Sequence, residues 1–60
     1  MMETKDRQVS AVKIGDLLWI KDRIFAGVKD IEEGMGVRTL HVFGYNSRTL
    51  ASHQSVLVGV

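Results

Sequence analysis

From Val12 onward the apolar residues fall in short runs with a period near two, separated by glycine or by small clusters of charged residues. This is the signature of strands rather than helices, because side chains alternate across a strand. Val, Ile, Leu, Phe, Tyr, Trp and Thr dominate these runs, and proline is absent. The pattern predicts five strands: Val12–Ile20, bent at Gly15-Asp16; Ile24–Ile31; Val37–Tyr45; Arg48–Ala51; and Val56–Val60. Lys21-Asp22-Arg23 and Asn46-Ser47 read as turns, Glu32–Gly36 as a glycine loop, and Ser52–Ser55 as a single 3₁₀ turn. A helical reading of Val28–Met35 is disfavoured by the two glycines beside it.

Parity divides each strand into two faces. Leu18, Ile20, Ile24, Ala26, Val28, Leu40, Val42, Leu50, Val56 and Val58 form one aliphatic set, enough to fill a small barrel. The opposite face carries Leu17, Trp19, Phe25, Phe43, Tyr45 and Leu57, among them all four aromatics. The run Leu17-Leu18-Trp19-Ile20 belongs to both sets and is apolar front and back. One layer of strands buries one face, and a contiguous apolar patch on the other marks an interface. These six residues are the expected interface. Bulges that would shift the parity are expected at Gly27 and Gly44.

Residues 1–10 lack this pattern. They are polar, carry both signs of charge and offer few apolar anchors. The expectation is a flexible polar arm over 1–10 followed by a β-barrel domain over 11–60.

Length sharpens the case for association. A chain of 60 residues forms one domain. Chains this small bury only about 60% of their unfolded surface. With no cysteine there is neither a disulfide nor a thiolate metal site to add stability. A homo-oligomer and a protein partner are therefore expected. No apolar run approaches the length of a membrane span, and no signal-peptide core precedes the strands, so the expected location is cytoplasmic with no membrane partner.

The segment Gly15, Asp16, Leu17, Leu18, Trp19, Ile20 and Lys21 resembles the opening strand of Src-homology-3-like (SH3-like) small barrels. It is most similar to the C-terminal barrel of retroviral and retrotransposon integrases. Leu50–Val58 resembles the short turn and closing strand of such barrels. The resemblance implies an all-β, five-stranded SH3-like barrel. The Trp-x-Gly-Pro segment and strongly basic character of the integrase barrels are absent, so it implies architecture more than DNA binding. A second, remote resemblance is to the short tetrameric plasmid-type dihydrofolate reductases, with Gln54-Ser55-Val56-Leu57 keeping only the Gln of their Val-Gln-Ile-Tyr stretch.

Candidate chemistry changes the picture little. The net charge of +1 argues neither for nor against nucleic acid. Lys21, Arg38 and Arg48, beside Trp19, Phe43 and Tyr45, are the candidate contacts for bases and phosphates. Ser52-His53 with Asp16 lacks the geometry of a nucleophile and its base, because adjacent residues point apart. His41 and His53 make an incomplete metal set. Gly34-Met35-Gly36 is not a phosphate loop, since Thr39 stands at the third glycine position. Asp30, Glu32 and Glu33 provide too few spaced oxygens for calcium. No catalytic, cofactor-binding or metal residue is assigned. The expectation is a non-catalytic binding module of the size of a bacterial or phage regulator.

Overall fold

A computed structural model describes residues 3–60. The six strands are β1 (Thr4–Gln8), β2 (Leu17–Lys21), β3 (Ile24–Glu33), β4 (Val37–Val42), β5 (Arg48–Ala51) and β6 (Ser55–Gly59), with a 3₁₀ turn at Val9–Ala11. They form one antiparallel sheet in the order β1-β6-β2-β3-β4-β5. Among the described residues no helix is long and apolar enough to cross a membrane.

Chain length dictates the curvature. In a flat sheet β5 and β6 would stand four interstrand spacings apart, about 19 Å. Only Ser52–Gln54 join them, and the step from Ala51 to Ser55 reaches at most about 14 Å. The sheet must roll so that β5 approaches β6. Two bulges assist, because an unpaired extra residue bends a strand. Ile20 is extra where β2 pairs β3, and Lys29 is extra where β3 pairs β4. β3 is long because it serves both halves of the roll, pairing β2 through Ile24–Gly27 and β4 through Val28–Glu33. The roll is not closed edge to edge.

The aliphatic face fills the inside as its parity predicts. Leu18, Ile20, Ala26, Val28, Leu40, Val42 and Val58 are buried together, with Ile24, Leu50 and Val56 packed against them. Val12 joins this cluster and Val9 is fully buried.

Four expectations are corrected. The chain has six strands rather than five, in an open roll. The bulges fall at Ile20 and Lys29 rather than at Gly27 and Gly44. The third predicted strand stops at Val42, because Gly44 takes a left-handed φ of 80° that ends extended pairing. The expected arm is structured from Thr4: β1 pairs β6 from Thr4↔Gly59 to Gln8↔Ser55. Met1 and Met2 lie outside the described residues.

The Gly15-Asp16 pair that anchors the family resemblance has a structural task. Gly15 adopts φ 97°, where a side chain is strained. The Asp16 carboxylate accepts from the Lys13 N–H at 2.8 Å and from the Arg7 guanidinium at 2.8 Å. Burial opposes the charge on Asp16, but the Lys13 N–H and Arg7 outweigh it, and the pKa falls below its ordinary value of 3.8. A depressed carboxylate pKa stabilises the folded state above the unfolded value, and that stability is lost as pH falls through the folded one. Asp16→Asn is therefore expected to lower stability by about 1 kcal/mol at neutral pH. The gap to wild type should close in acid below the ordinary carboxylate range. Urea denaturation across pH checks this; a gap independent of pH would remove the ionic account.

Candidate functional site

Two surfaces stand out, and Trp19 borders both. The first is the outer side of the β6-β2-β3 layer. Trp19 lies opposite Phe25, and Leu17 lies between Gly27 and Gly59 in the two neighbouring strands. Leu57 projects to the same side from β6. Phe43 leaves the end of β4 and folds back over the flat spot at Gly27. A Cβ built on Gly27 would lie 3.5 Å from the Phe43 ring, and the Phe43 N–H donates to the Gly27 carbonyl at 3.1 Å. That distance is ordinary van der Waals contact, so the ring packs directly over position 27 and completes the patch from the loop after β4. Leu17, Trp19 and Leu57 are each more than a third exposed, and Phe43 is 63% exposed. Phe25 is half-buried. Five of the six expected interface residues therefore share one surface; Tyr45 is exposed in the loop that follows Phe43.

Charge is distributed unevenly around this patch. On the β1 flank Asp6 stands opposite Leu57. On the other flank the Lys29 ammonium lies 5.7 Å from the centre of the Phe43 ring, in cation–π range.

The second surface is a cleft of about 260 Å³ at the seam of the roll. β2 and β6 pair only through Leu17↔Gly59 and Leu18↔Val58. Beyond Leu18 the two strands separate, and β5 faces the gap. Trp19, Leu50, Val56 and Leu57 supply apolar walls; Arg48, Gln54 and Ser55 supply polar groups. Arg48 spans the seam, donating from its guanidinium to the Ile20 carbonyl at 3.2 Å. That carbonyl belongs to the bulged residue.

The three candidate nucleic-acid residues do not form one basic surface. Arg38 is turned inward, with its side chain 12% exposed. Its Nη1 donates to the carbonyls of Val9 at 2.6 Å and Val12 at 3.1 Å. Its Nε lies 3.0 Å from a Glu33 carboxylate oxygen but is misaligned for a hydrogen bond. Arg38 thus clamps the 3₁₀ turn onto β4. Arg48 is half-buried at the seam, and Lys21 is exposed at the end of β2.

One polar line was not anticipated. The Ser47 hydroxyl lies 2.6 Å from Nδ1 of His41, whose Nε2 lies 3.5 Å from a Glu32 carboxylate oxygen. The pairing of Leu40 with Arg48 places Ser47 beside His41 one step along the ladder, so a correct hairpin register would have revealed it. None of the three lines the cleft. Ser52 is engaged through its backbone, donating to the Gly36 carbonyl and accepting from the Ser10 N–H. Asp16 is held by Lys13 and Arg7, so it is not directed at His53. Among the described residues no three His, Asp or Glu side chains group closely enough to hold a metal ion.

No protein-family model, curated protein or solved structure matches the chain.

Proposed function

We propose that this chain is a non-catalytic binding module that pairs with a second copy of itself through the outer β6-β2-β3 face and offers its remaining surface to a protein partner. The rolled sheet and the Gly15-Asp16 turn support reading it as an SH3-like small barrel variant with an added charged edge strand. One observation carries the self-association: the outer face is apolar in the middle, acidic on the Asp6 flank and basic on the Lys29 flank. A two-fold axis lying in the interface between Asp6 and Lys29, and oblique to the strands because Asp6 is level with Trp19 while Lys29 lies beyond Leu17 along the ladder, superposes the apolar centres. The same rotation sets Asp6 of each copy against Lys29 of the other. An isologous contact needs this self-complementarity. A typical interface covers about 800 Å² per partner, roughly a fifth of the 4131 Å² surface of the protomer.

The test is solution mass. Light scattering at about 100 µM is expected to give twice the protomer mass, and Leu17→Asp is expected to give the protomer mass with an unchanged β spectrum. Leu17 is 37% exposed, so the unchanged β spectrum is what separates lost pairing from a folding penalty of the new charge. A charge swap, Asp6→Lys with Lys29→Glu, should retain dimers, whereas either single change should weaken them. A wild type that remains a protomer at this concentration removes the proposal.

A further inference from the structure

We propose that the seam cleft binds the carboxylate terminus of an extended peptide, with Arg48 holding the carboxylate and Trp19 packing against the last apolar side chain. The cleft is formed within one protomer, but it shares Trp19 and Leu57 with the outer face, so binding is also read in Leu17→Asp, where dimers are lost.

Charge is the first argument. Arg7 is ion-paired with Asp16 and Arg38 with Glu33. Arg48 is half-buried as well, yet among the described residues no carboxylate lies within ion-pairing distance of it. Its single identified bond is to the Ile20 carbonyl, which leaves other N–H groups of the fork unassigned. Arg48 is a half-buried cation among Trp19, Leu50 and Leu57 whose remaining N–H groups are open to an incoming anion. The guanidinium fork matches a carboxylate in two parallel hydrogen bonds.

Number and size narrow the class. The lining contains one cation and two neutral polar side chains, Gln54 and Ser55, which suits a monoanion rather than a phosphate dianion. A volume of about 260 Å³ is below that of pockets for drug-sized ligands, about 300–1,000 Å³. It accepts one apolar side chain and a terminal group. The separated strands give the remaining main chain a place to lie. β6 extends to Ser55 and β2 to Lys21, both beyond their mutual pairing, and an extended peptide can add to such strand edges.

The chain contains one tryptophan, so its fluorescence reports the cleft. The probes are acetyl-Ala-Leu-Phe with a free carboxylate and the same tripeptide as its C-terminal amide. The acid is expected to give a saturable change in Trp19 emission below about 1 mM, with the amide at least tenfold weaker. Arg48→Met should erase that preference and Arg48→Lys should keep part of it, with circular dichroism recording the fold. The acid–amide comparison on the wild-type chain decides the matter even where Arg48→Met lowers stability. Equal binding of acid and amide, or no saturable change at 5 mM, overturns the proposal. So does tighter binding of a 5′-phosphorylated dinucleotide, which would assign the cleft to nucleic acid instead. The preference should persist in Leu17→Asp, where dimers are lost; its loss there would show that one chain does not form the site.

Discussion

A chain that begins at Ser10 is expected not to fold. Such a truncation removes the entire β1 ladder, from Thr4↔Gly59 to Gln8↔Ser55. It also removes Val9, which is fully buried, and the N–H that Val9 donates to the Gln54 carbonyl at 2.7 Å. Burying one such side chain contributes about 1.5–3 kcal/mol, and each lost backbone hydrogen bond removes about 1 kcal/mol. A domain of this length has a total stability of only about 3–9 kcal/mol. The deletion also strips one side of β6, a strand that pairs β2 over just two positions. Thermal circular dichroism should therefore show no cooperative transition for the truncated chain. A melt within about 5 °C of the full chain would mean that these residues decorate the fold without supporting it.

The second large effect is expected at Arg38. Replacing it by Ala removes a charged donor from two backbone carbonyls; Val9 keeps the Val12 N–H at 3.2 Å, whereas Val12 loses its donor. A hydrogen bond from a charged donor contributes about 1.5–3 kcal/mol, and an orphaned buried acceptor carries a desolvation penalty of similar size. Arg38→Ala should destabilise by about 3 kcal/mol in urea denaturation. Arg38→Lys should restore only part, because both carbonyls accept from one terminal guanidinium nitrogen and the lysine stem ends one atom short of it. The partner acid provides the control. Glu33 is largely exposed, so Glu33→Gln should change stability by less than about 0.5 kcal/mol. Equal losses from Glu33→Gln and Arg38→Ala would show that the ion pair, not the clamp on the turn, is what matters.

Both effects fall where the alternation of apolar and polar residues is silent. β1 reads Thr-Lys-Asp-Arg-Gln, and its positions opposite Val56 and Val58 are Arg7 and Lys5. Long charged side chains cover the apolar interior with their stems and keep their heads wet. A charged edge strand also resists pairing with other chains. The same composition is typical of a disordered tail, so nothing local separates the two states. Arg38 is equally silent, because an arginine on a strand flanked by valine and threonine looks like a solvated position until Val9 and Val12 arrive from 26 to 29 residues away.

The outer patch was more legible. Leu17, Trp19, Phe25 and Leu57 share a face because strand parity is geometric and local. Phe43 joins them only through its return over Gly27, a contact between a loop residue and a strand distant in the chain. The cleft was not legible, because it arises where two strands fail to continue pairing. Ile20 shows the same limit on a smaller scale: its burial follows from parity, but its carbonyl meets Arg48 because the strand bulges there.

The amino-acid order by itself determined the β character, the inward and outward sets from Leu17 onward, and the glycine turns at 15 and 36, which take positive φ. These rest on interactions between near neighbours and on a two-residue period that any window of the chain displays. Only the tertiary structure decided that a charged segment is a sixth strand, that two of the arginines serve the backbone, and that the roll stays open at a seam. Each of those depends on groups far apart in the chain meeting in space, and charge, unlike hydrophobicity, leaves no periodic trace of the partner it will find.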